Sequence, residues 1–254
     1  MSRIIPNTAS GDVAVYGRIS GPVVIIGFGS IASGILPLLK RHVAHDPERL
    51  TVIDPAGNNK EILDHYGARR LDTAFTGENL RAVLAPLLAD GGGPGFCINL
   101  SIDVCSIEVM RLCRELGALY IDSSIEPWPG VFTDPNADPA SRTNYVMREM
   151  LLAEKRGSPG GTTAVSCCGA NPGMVSWLTK QALLNLAADL KLDFDAPQTR
   201  EDWARLMQKS GVRGIHIAER DTQKTNRVKK GKCFFNTWLV NGMIEEGVQP
   251  AELG

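Results

Sequence analysis

The chain has 254 residues, 43% hydrophobic and 22% charged, with a formal net charge of −1. This is the balance of a soluble globular protein of one large domain or two smaller ones, and near-neutrality leaves no electrostatic footprint for nucleic acid or an anionic membrane. Glycines break the longest apolar run, Pro22–Ile35, below membrane-spanning length, and no basic-then-apolar leader opens the chain, so a cytoplasmic location is expected.

Met1–Ser20 is polar with little periodicity and reads as a surface arm or short hairpin. Pro22–Gly34 (PVVIIGFGSIASG) then organises the chain. It predicts a buried strand (Val23–Ile26), a glycine turn and a helix starting at Ser30. The spacing Gly27-x-Gly29-x-x-Ala32 fits the dinucleotide-binding fingerprint, which accepts Gly or Ala at its third position. Gly27 permits the tight turn, Gly29 lets backbone approach a pyrophosphate, and Ala32 allows close helix–strand contact. Phosphates then meet the free N–H groups and positive end of the helix dipole. A second strand, Leu50–Asp54, ends in a carboxylate about twenty residues on, where a ribose-binding Asp stands in such sites. The ordinary alternative is a strand–helix turn with Asp54 as a strand-end cap.

Ile31–His45 has near-helical apolar spacing (Ile31, Ile35, Leu38, Leu39, Val43), with Pro37 inside it and Asp46-Pro47 closing it. Asn58–Tyr66 predicts a helix, Ala68–Leu71 a short strand, Glu78–Ala89 a helix and Asp90–Gly95 a loop. Phe96–Ser101 reads as a buried parallel strand, Val104–Leu116 as a helix and Ala118–Asp122 as the next strand. Thr143–Arg156 is helix-like. Thr162–Cys168 reads as another buried strand, Gly169–Gly173 as a loop and Met174–Leu190 as a long apolar helix. Strands alternating with helices predict an α/β fold, a Rossmann-type doubly wound parallel sheet. Beyond Leu190 the pattern changes. Thr199–Ser210 reads as a helix, the alternating Val212–Glu219 as a half-buried strand, the basic Lys224–Lys232 as a solvated hairpin turn and Phe234–Val240 as a strand. This predicts the start of an α+β domain.

The six cysteines read as reduced, mostly buried thiols, with Cys167 and Cys168 on opposite faces of a strand. No metal-ligand spacing and no Ser–His–Asp set is present, so no metal is expected.

In doubly wound sheets ligands bind at the carboxyl ends of the strands. Asn99, Ser101 and Asp103 stand after the fourth strand; Asp122, Ser123, Ser124, Glu126 and Trp128 after the fifth; and Asn171, Pro172 and Gly173 after the sixth. Glu219 ends a later predicted strand, and Glu245, Glu246 and Glu252 lie beyond FFNTW. A carboxylate-rich pocket with Trp nearby suits a cationic amine, because carboxylates pair with ammonium and an indole face attracts a desolvated cation. Each residue has an ordinary reading too. Asp103 fits a helix N-cap, Glu126 and Asn171 fit turns before prolines, Trp128 and Trp238 fit core packing, and Glu245 and Glu246 fit a solvated helix face.

The stretches NLSIDVCS (99–106), LYIDSSIEPWPG (119–130), TAVSCCGANPGMVSWLTKQAL (163–183), GIHIAERDTQ (214–223), NTWLVNGMIEEG (236–247) and QPAELG (249–254) resemble bacterial homospermidine synthase, of the saccharopine-dehydrogenase-like family. The likeness covers nearly the whole chain. It implies a Rossmann domain (1–190) followed by the beginning of an α+β substrate and dimerisation domain (191–254), and a homodimer when full length. It implies NAD held as a prosthetic group. NAD takes a hydride from the carbon beside an amine of putrescine, ammonia leaves as a second amine adds, and the new Schiff base is reduced, so the net reaction is redox-neutral. Spermidine is the alternative donor.

The resemblance also implies roles. Trp238 is the cation–π residue, Glu219 and Glu246 hold the diamine, and Asn171 hydrogen-bonds near the nicotinamide and reacting amine. Asp103 and Glu126 line the amine entrance. Gly27, Gly29, Ser30 and Ile31 cradle the pyrophosphate, Asp54 takes the ribose and disfavours a 2′-phosphate, and Asn99 and Ser101 complete the cofactor side. Ala32 stands where the family commonly has Gly. Family members are much longer, so a C-terminally truncated chain is expected. The competing readings are a saccharopine- or carboxynorspermidine-type dehydrogenase, whose carboxylate-bearing substrates call for Arg or Lys at the strand ends, and a non-catalytic NAD-binding fragment.

Overall fold

A computed structural model describes residues 14–57, 59–89, 91–157, 159–220, 222, 224, 226, 228–233 and 240–250. Six parallel strands form the central sheet: β2 (Val23–Ile26), β4 (Leu50–Ile53), β5 (Arg69–Leu71), β6 (Phe96–Asn99), β7 (Leu119–Asp122) and β8 (Ala164–Val165). Their order is β5-β4-β2-β6-β7-β8. The order reverses beside β2, and this is the switch point at which such sheets open a ligand crevice. The expected doubly wound sheet is therefore present.

β2 is apolar throughout because it is covered on both faces. Val24 and Ile26 pack with Leu80, Leu84 and Leu88 of α3 (Leu80–Leu88) and with Val109, Met110, Leu112 and Cys113 of α4 (Ser106–Glu115). Val23 and Ile25 face the other way, toward Ala32, Leu36 and Leu39 of α1 (Ser30–His42) and Leu63 of α2 (Lys60–Tyr66). Successive strand side chains alternate between faces, and each fully buried aliphatic contributes about 1.5–3 kcal/mol. Arg111 and Arg114 of α4 pair with Glu154, which fastens α5 (Asn144–Gly157) against α4 and holds that carboxyl below its ordinary range. A separate apolar cluster joins Leu183 and Ala187 of α6 (Met174–Asp189) to Leu206 of α7 (Arg200–Lys209).

Several expectations change. The N-terminal arm is not a hairpin over its described part: β1 (Gly17–Arg18) pairs in parallel with β3 (Val43–Ala44), after the first helix. Parallel partners need a crossover, and α1 supplies it. The seven-residue strand 162–168 shrinks to β8, at the sheet edge with Val165 42% exposed. Beyond it, Cys167 adopts φ +60 and donates its N–H to the Asp122 carboxylate, which turns the chain out of the ladder. Cys167 and Cys168 thus lie in a loop, the first partly buried and the second exposed; Cys233 is exposed as well, whereas Cys97 and Cys113 are buried.

Val212–Glu219 is irregular, with Ile215 and Ile217 about half exposed. Alternation alone does not make a strand: the backbone N–H and C=O groups need a partner, and none of the described residues pairs with this segment. The described residues of the basic segment are irregular and exposed, with a turn at Gly231–Lys232. Residues 234–239, including Trp238, lie outside the described residues. Val240 opens a helix, α8 (Val240–Val248), where the end of a strand was expected.

Candidate functional site

The loop from β2 to α1 has the geometry its sequence predicts. Gly27 has φ +85, and a Cβ there would stand 2.9 Å from the Ser101 backbone nitrogen and 3.0 Å from Leu100. Only glycine fits that approach in that conformation. A Cβ on Gly29 would meet nothing within 4 Å, so the space beside it is open to a ligand. Gly29 is the N-cap of α1. No side chain caps this helix and no acid sits in its first turn, which leaves amide donors and a positive dipole end for an anion. Ser30 and Ile31 are exposed at that end, and Ala32 is buried against the sheet.

Asp54 stands immediately beyond β4. Its Oδ2 accepts from the Phe28 N–H at 2.7 Å and its Oδ1 from the Ala56 N–H at 2.8 Å. The carboxylate is therefore tied to the fingerprint turn itself. Asn99, 2% exposed at the end of β6, accepts from the Ser101 N–H at 3.2 Å. Ser101 in turn accepts from the Asp103 N–H at 3.2 Å. The residues expected on the cofactor side (Gly27, Gly29, Ser30, Ile31, Asp54, Asn99 and Ser101) thus occupy the carboxyl ends of β2, β4 and β6 and the start of α1.

The expected substrate carboxylates come from distant parts of the chain. Glu126 is half-buried after β7. Its backbone is clamped to the start of α4, with the Ser106 N–H donating to Glu126 O at 2.8 Å and the Glu126 N–H donating to Ser106 Oγ at 2.9 Å. The Ser124 hydroxyl donates to Glu126 Oε1 at 2.5 Å. Burial raises the Glu126 carboxyl to about 7, with further upward contributions from Glu245, Asp122 and Glu246. Partial desolvation also raises the half-buried Glu245, helped by the charge of Asp103, and the exposed Glu246, helped by that of Glu219. Glu126 is therefore within electrostatic reach of Glu245 and Glu246, Glu245 of Asp103, and Glu246 of Glu219. They are not close enough to form a metal cage: among the described residues no group of three His, Cys, Asp or Glu side chains is placed to hold an ion.

Asp103 is exposed and does not cap α4, whose N-cap is Cys105. Asn171 is exposed in the 169–173 loop after β8. Trp128 packs against the core and donates its indole N–H to Glu108 at 2.8 Å, which removes it from the acidic cluster.

A buried polar network behind these residues is weakly marked in the sequence. Asp122, 2% exposed, accepts from the Tyr120 hydroxyl at 2.8 Å, the Ser166 hydroxyl at 2.8 and 2.9 Å and the Cys167 N–H at 2.6 Å. Desolvation raises the Asp122 carboxyl, and the Cys167, Tyr120 and Ser166 donors oppose it. The one signal for Asp122 was its place at the end of a strand, the same as that of Asp54. Nothing in the local sequence marked Tyr120, Ser106 or Ser166 as its companions or supports.

Residues 23–165 match the model described as the saccharopine dehydrogenase NADP binding domain. The chain belongs to this family. Within it, the chain is 55% identical over 253 residues to a homospermidine synthase of Mesorhizobium japonicum, covering 99% of this chain and 52% of that protein. It is 56% identical over 243 residues to a homospermidine synthase of Blastochloris viridis, covering 96% and 51%. The crystal structure of the homospermidine synthase from Legionella pneumophila in complex with NAD superimposes with a TM-score of 0.77 at 34% identity, over 92% of this chain and 48% of that one. The chain spans about half the length of the curated relatives it matches.

Proposed function

We propose that this chain carries the cofactor site and part of the substrate site of a homospermidine synthase. Such an enzyme moves an aminobutyl group from putrescine or spermidine to putrescine, releasing ammonia or diaminopropane. One observation of the fold supports this reading most: Glu126, just beyond β7 in a sheet whose switch point holds a dinucleotide cradle, is a carboxyl raised by burial and by the charges of Glu245 and Glu246 from a distant helix. The names of the relatives point the same way.

The cradle fits NAD, with room beside Gly29, an uncapped α1 and a carboxylate at the ribose position. Although the family description names NADP, Asp54 favours NAD, since its charge repels a 2′-phosphate. When bound, NAD supplies a reversible hydride acceptor for the carbon beside the amine. In this reading Gly27, Gly29, Ser30 and Ile31 hold the pyrophosphate, Asp54 the ribose, and Asn99 and Ser101 line the cofactor side. Glu219 and Glu246 hold the ammonium ends of the diamine, Trp238 faces its cation, Asn171 orients the reacting amine, and Asp103 and Glu126 stand at the amine entrance. A carboxyl raised to about 7 can hold or pass a proton near neutral pH, and an attacking amine must lose one. We further propose a division into a Rossmann domain (1–190) and the beginning of a catalytic domain (191–254), with the full-length enzyme a cytoplasmic homodimer. Among the described residues no helix is long and apolar enough to cross a membrane.

The test incubates the purified chain with NAD and putrescine and measures homospermidine, ammonia and NADH. Homospermidine without accumulating NADH supports the synthase. Net NADH supports a dehydrogenase instead, and bound NAD without turnover supports a binding module.

A further inference from the structure

We infer that Asp122 is a positioning residue that locks the loop carrying Asn171 onto the loop carrying Glu126. This inference rests on the substrate reading above for what the two loops do. Asp122 closes β7, and its side chain reaches across to the segment beyond β8. Oδ1 accepts from the Cys167 N–H at 2.6 Å and from the Ser166 hydroxyl at 2.8 Å, and Oδ2 accepts from the Tyr120 hydroxyl at 2.8 Å. The Cys168 N–H donates to the Asp122 backbone oxygen at 3.0 Å. One turn further, a Cβ on Gly169 would stand 2.7 Å from the Ser123 carbonyl oxygen, so the two loops touch backbone to backbone. The Gly169 N–H then closes the short loop around Asn171 by donating to Pro172 O at 2.9 Å.

The same carboxylate connects to the cofactor side. Asn99 Nδ2 donates to the Tyr120 hydroxyl at 3.4 Å, and Asn99 Oδ1 receives the Ser101 N–H beside Gly27. One buried acid thus links the ends of β6 and β7 to the segment after β8. The β6 end borders the switch-point crevice, and the ends of β7 and β8 follow it along the same edge of the sheet. The donors to the carboxylate are all neutral, and each replaces water lost on burial. An amide loses one acceptor of the set: its NH2 donates where the carboxylate accepted, so a hydroxyl that now donates to Asp122 must turn its O–H elsewhere. Near a reacting centre, even a small displacement lowers the fraction of productive encounters.

The test uses the full 254-residue chain with Asp122→Asn and Ser166→Ala variants. Hydrogen exchange with NADH present compares the 166–173 loop with the 23–34 fingerprint. Positioning predicts exchange at least about tenfold faster across 166–173 in D122N, while the fingerprint stays protected. NADH affinity should hold within about twofold. The change in fluorescence of bound NADH on adding putrescine should fall in D122N, which a purely structural tie would not cause. S166A should shift both readouts less, in the same direction, and it carries the test if D122N does not fold. Unchanged loop exchange overturns the proposal, as does faster exchange with an intact putrescine response. If the unsubstituted chain itself gives no putrescine response, the substrate reading fails and the positioning role with it, and the loop exchange then decides only whether Asp122 ties the two loops.

Discussion

Glu126→Gln tests whether the acidic cluster holds strain that depends on pH. The Glu126 carboxyl stands at about 7 against an ordinary 4.5. At about 1.4 kcal/mol per pH unit this difference has a ceiling of about 3 kcal/mol. Partial solvent access screens it, so about 1–2 kcal/mol is the working figure. The sign follows from proton binding. Between the unfolded and folded values the native state holds more protons than the unfolded chain, so stability falls as pH rises from about 4.5 to 7 and then levels off. Gln keeps an oxygen for the Ser124 hydroxyl and carries no charge. E126Q should therefore match the parent at pH 5 and be more stable by about 1–2 kcal/mol at pH 8. Urea unfolding followed by tryptophan fluorescence at the two pH values measures the difference. An equal effect at both, or a loss at pH 8, refutes a buried, charge-crowded Glu126.

Gly27→Ala should destabilise by about 2–4 kcal/mol, since its Cβ meets Ser101 and Leu100 at a positive φ; thermal unfolding reads this directly. Asp54→Ala removes the acceptor of the Phe28 and Ala56 N–H groups and should weaken NAD at least about tenfold while narrowing the NAD-over-NADP preference, measured by calorimetry. Thr199→Ala breaks the capping box with Asp202 at the start of α7 and should lower stability by about 1 kcal/mol in chemical denaturation. On the proposed reading, Trp238→Phe in the full-length enzyme should retain most homospermidine formation while Trp238→Ala loses about tenfold, as a cation–π contact of about 1–2 kcal/mol requires; matching rates for the two variants would remove that role.

The cofactor half of the site was legible because its determinants are local. The turn at Gly27, the open space at Gly29 and the buried Ala32 each follow from residue size and backbone freedom within ten residues of chain. Asp54 could be placed from one strand length and one helix length. The acidic half was legible only as a list of strand-end residues. Glu126 comes within electrostatic reach of Glu245 in the helix at Val240–Val248, and no periodicity within either segment announces that approach. Trp128 shows the same boundary from the other side. Its composition suited a cation pocket, yet the fold spent its indole N–H on Glu108 and its ring on the core.

By itself, the sequence determined the strand–turn–helix cradle, the six-strand parallel sheet and the supply of carboxylates, because each depends on short-range pattern and on which side chains avoid water. The tertiary structure alone decided which predicted strands found partners. β8 kept two residues because the Asp122 side chain took the next N–H, and 212–219 kept none because no described strand pairs with it. It also decided which acids face one another, and so which of them is raised to about 7. Burial and the field of neighbouring charges are properties of a place in the fold, and residues more than a hundred positions apart create that place together.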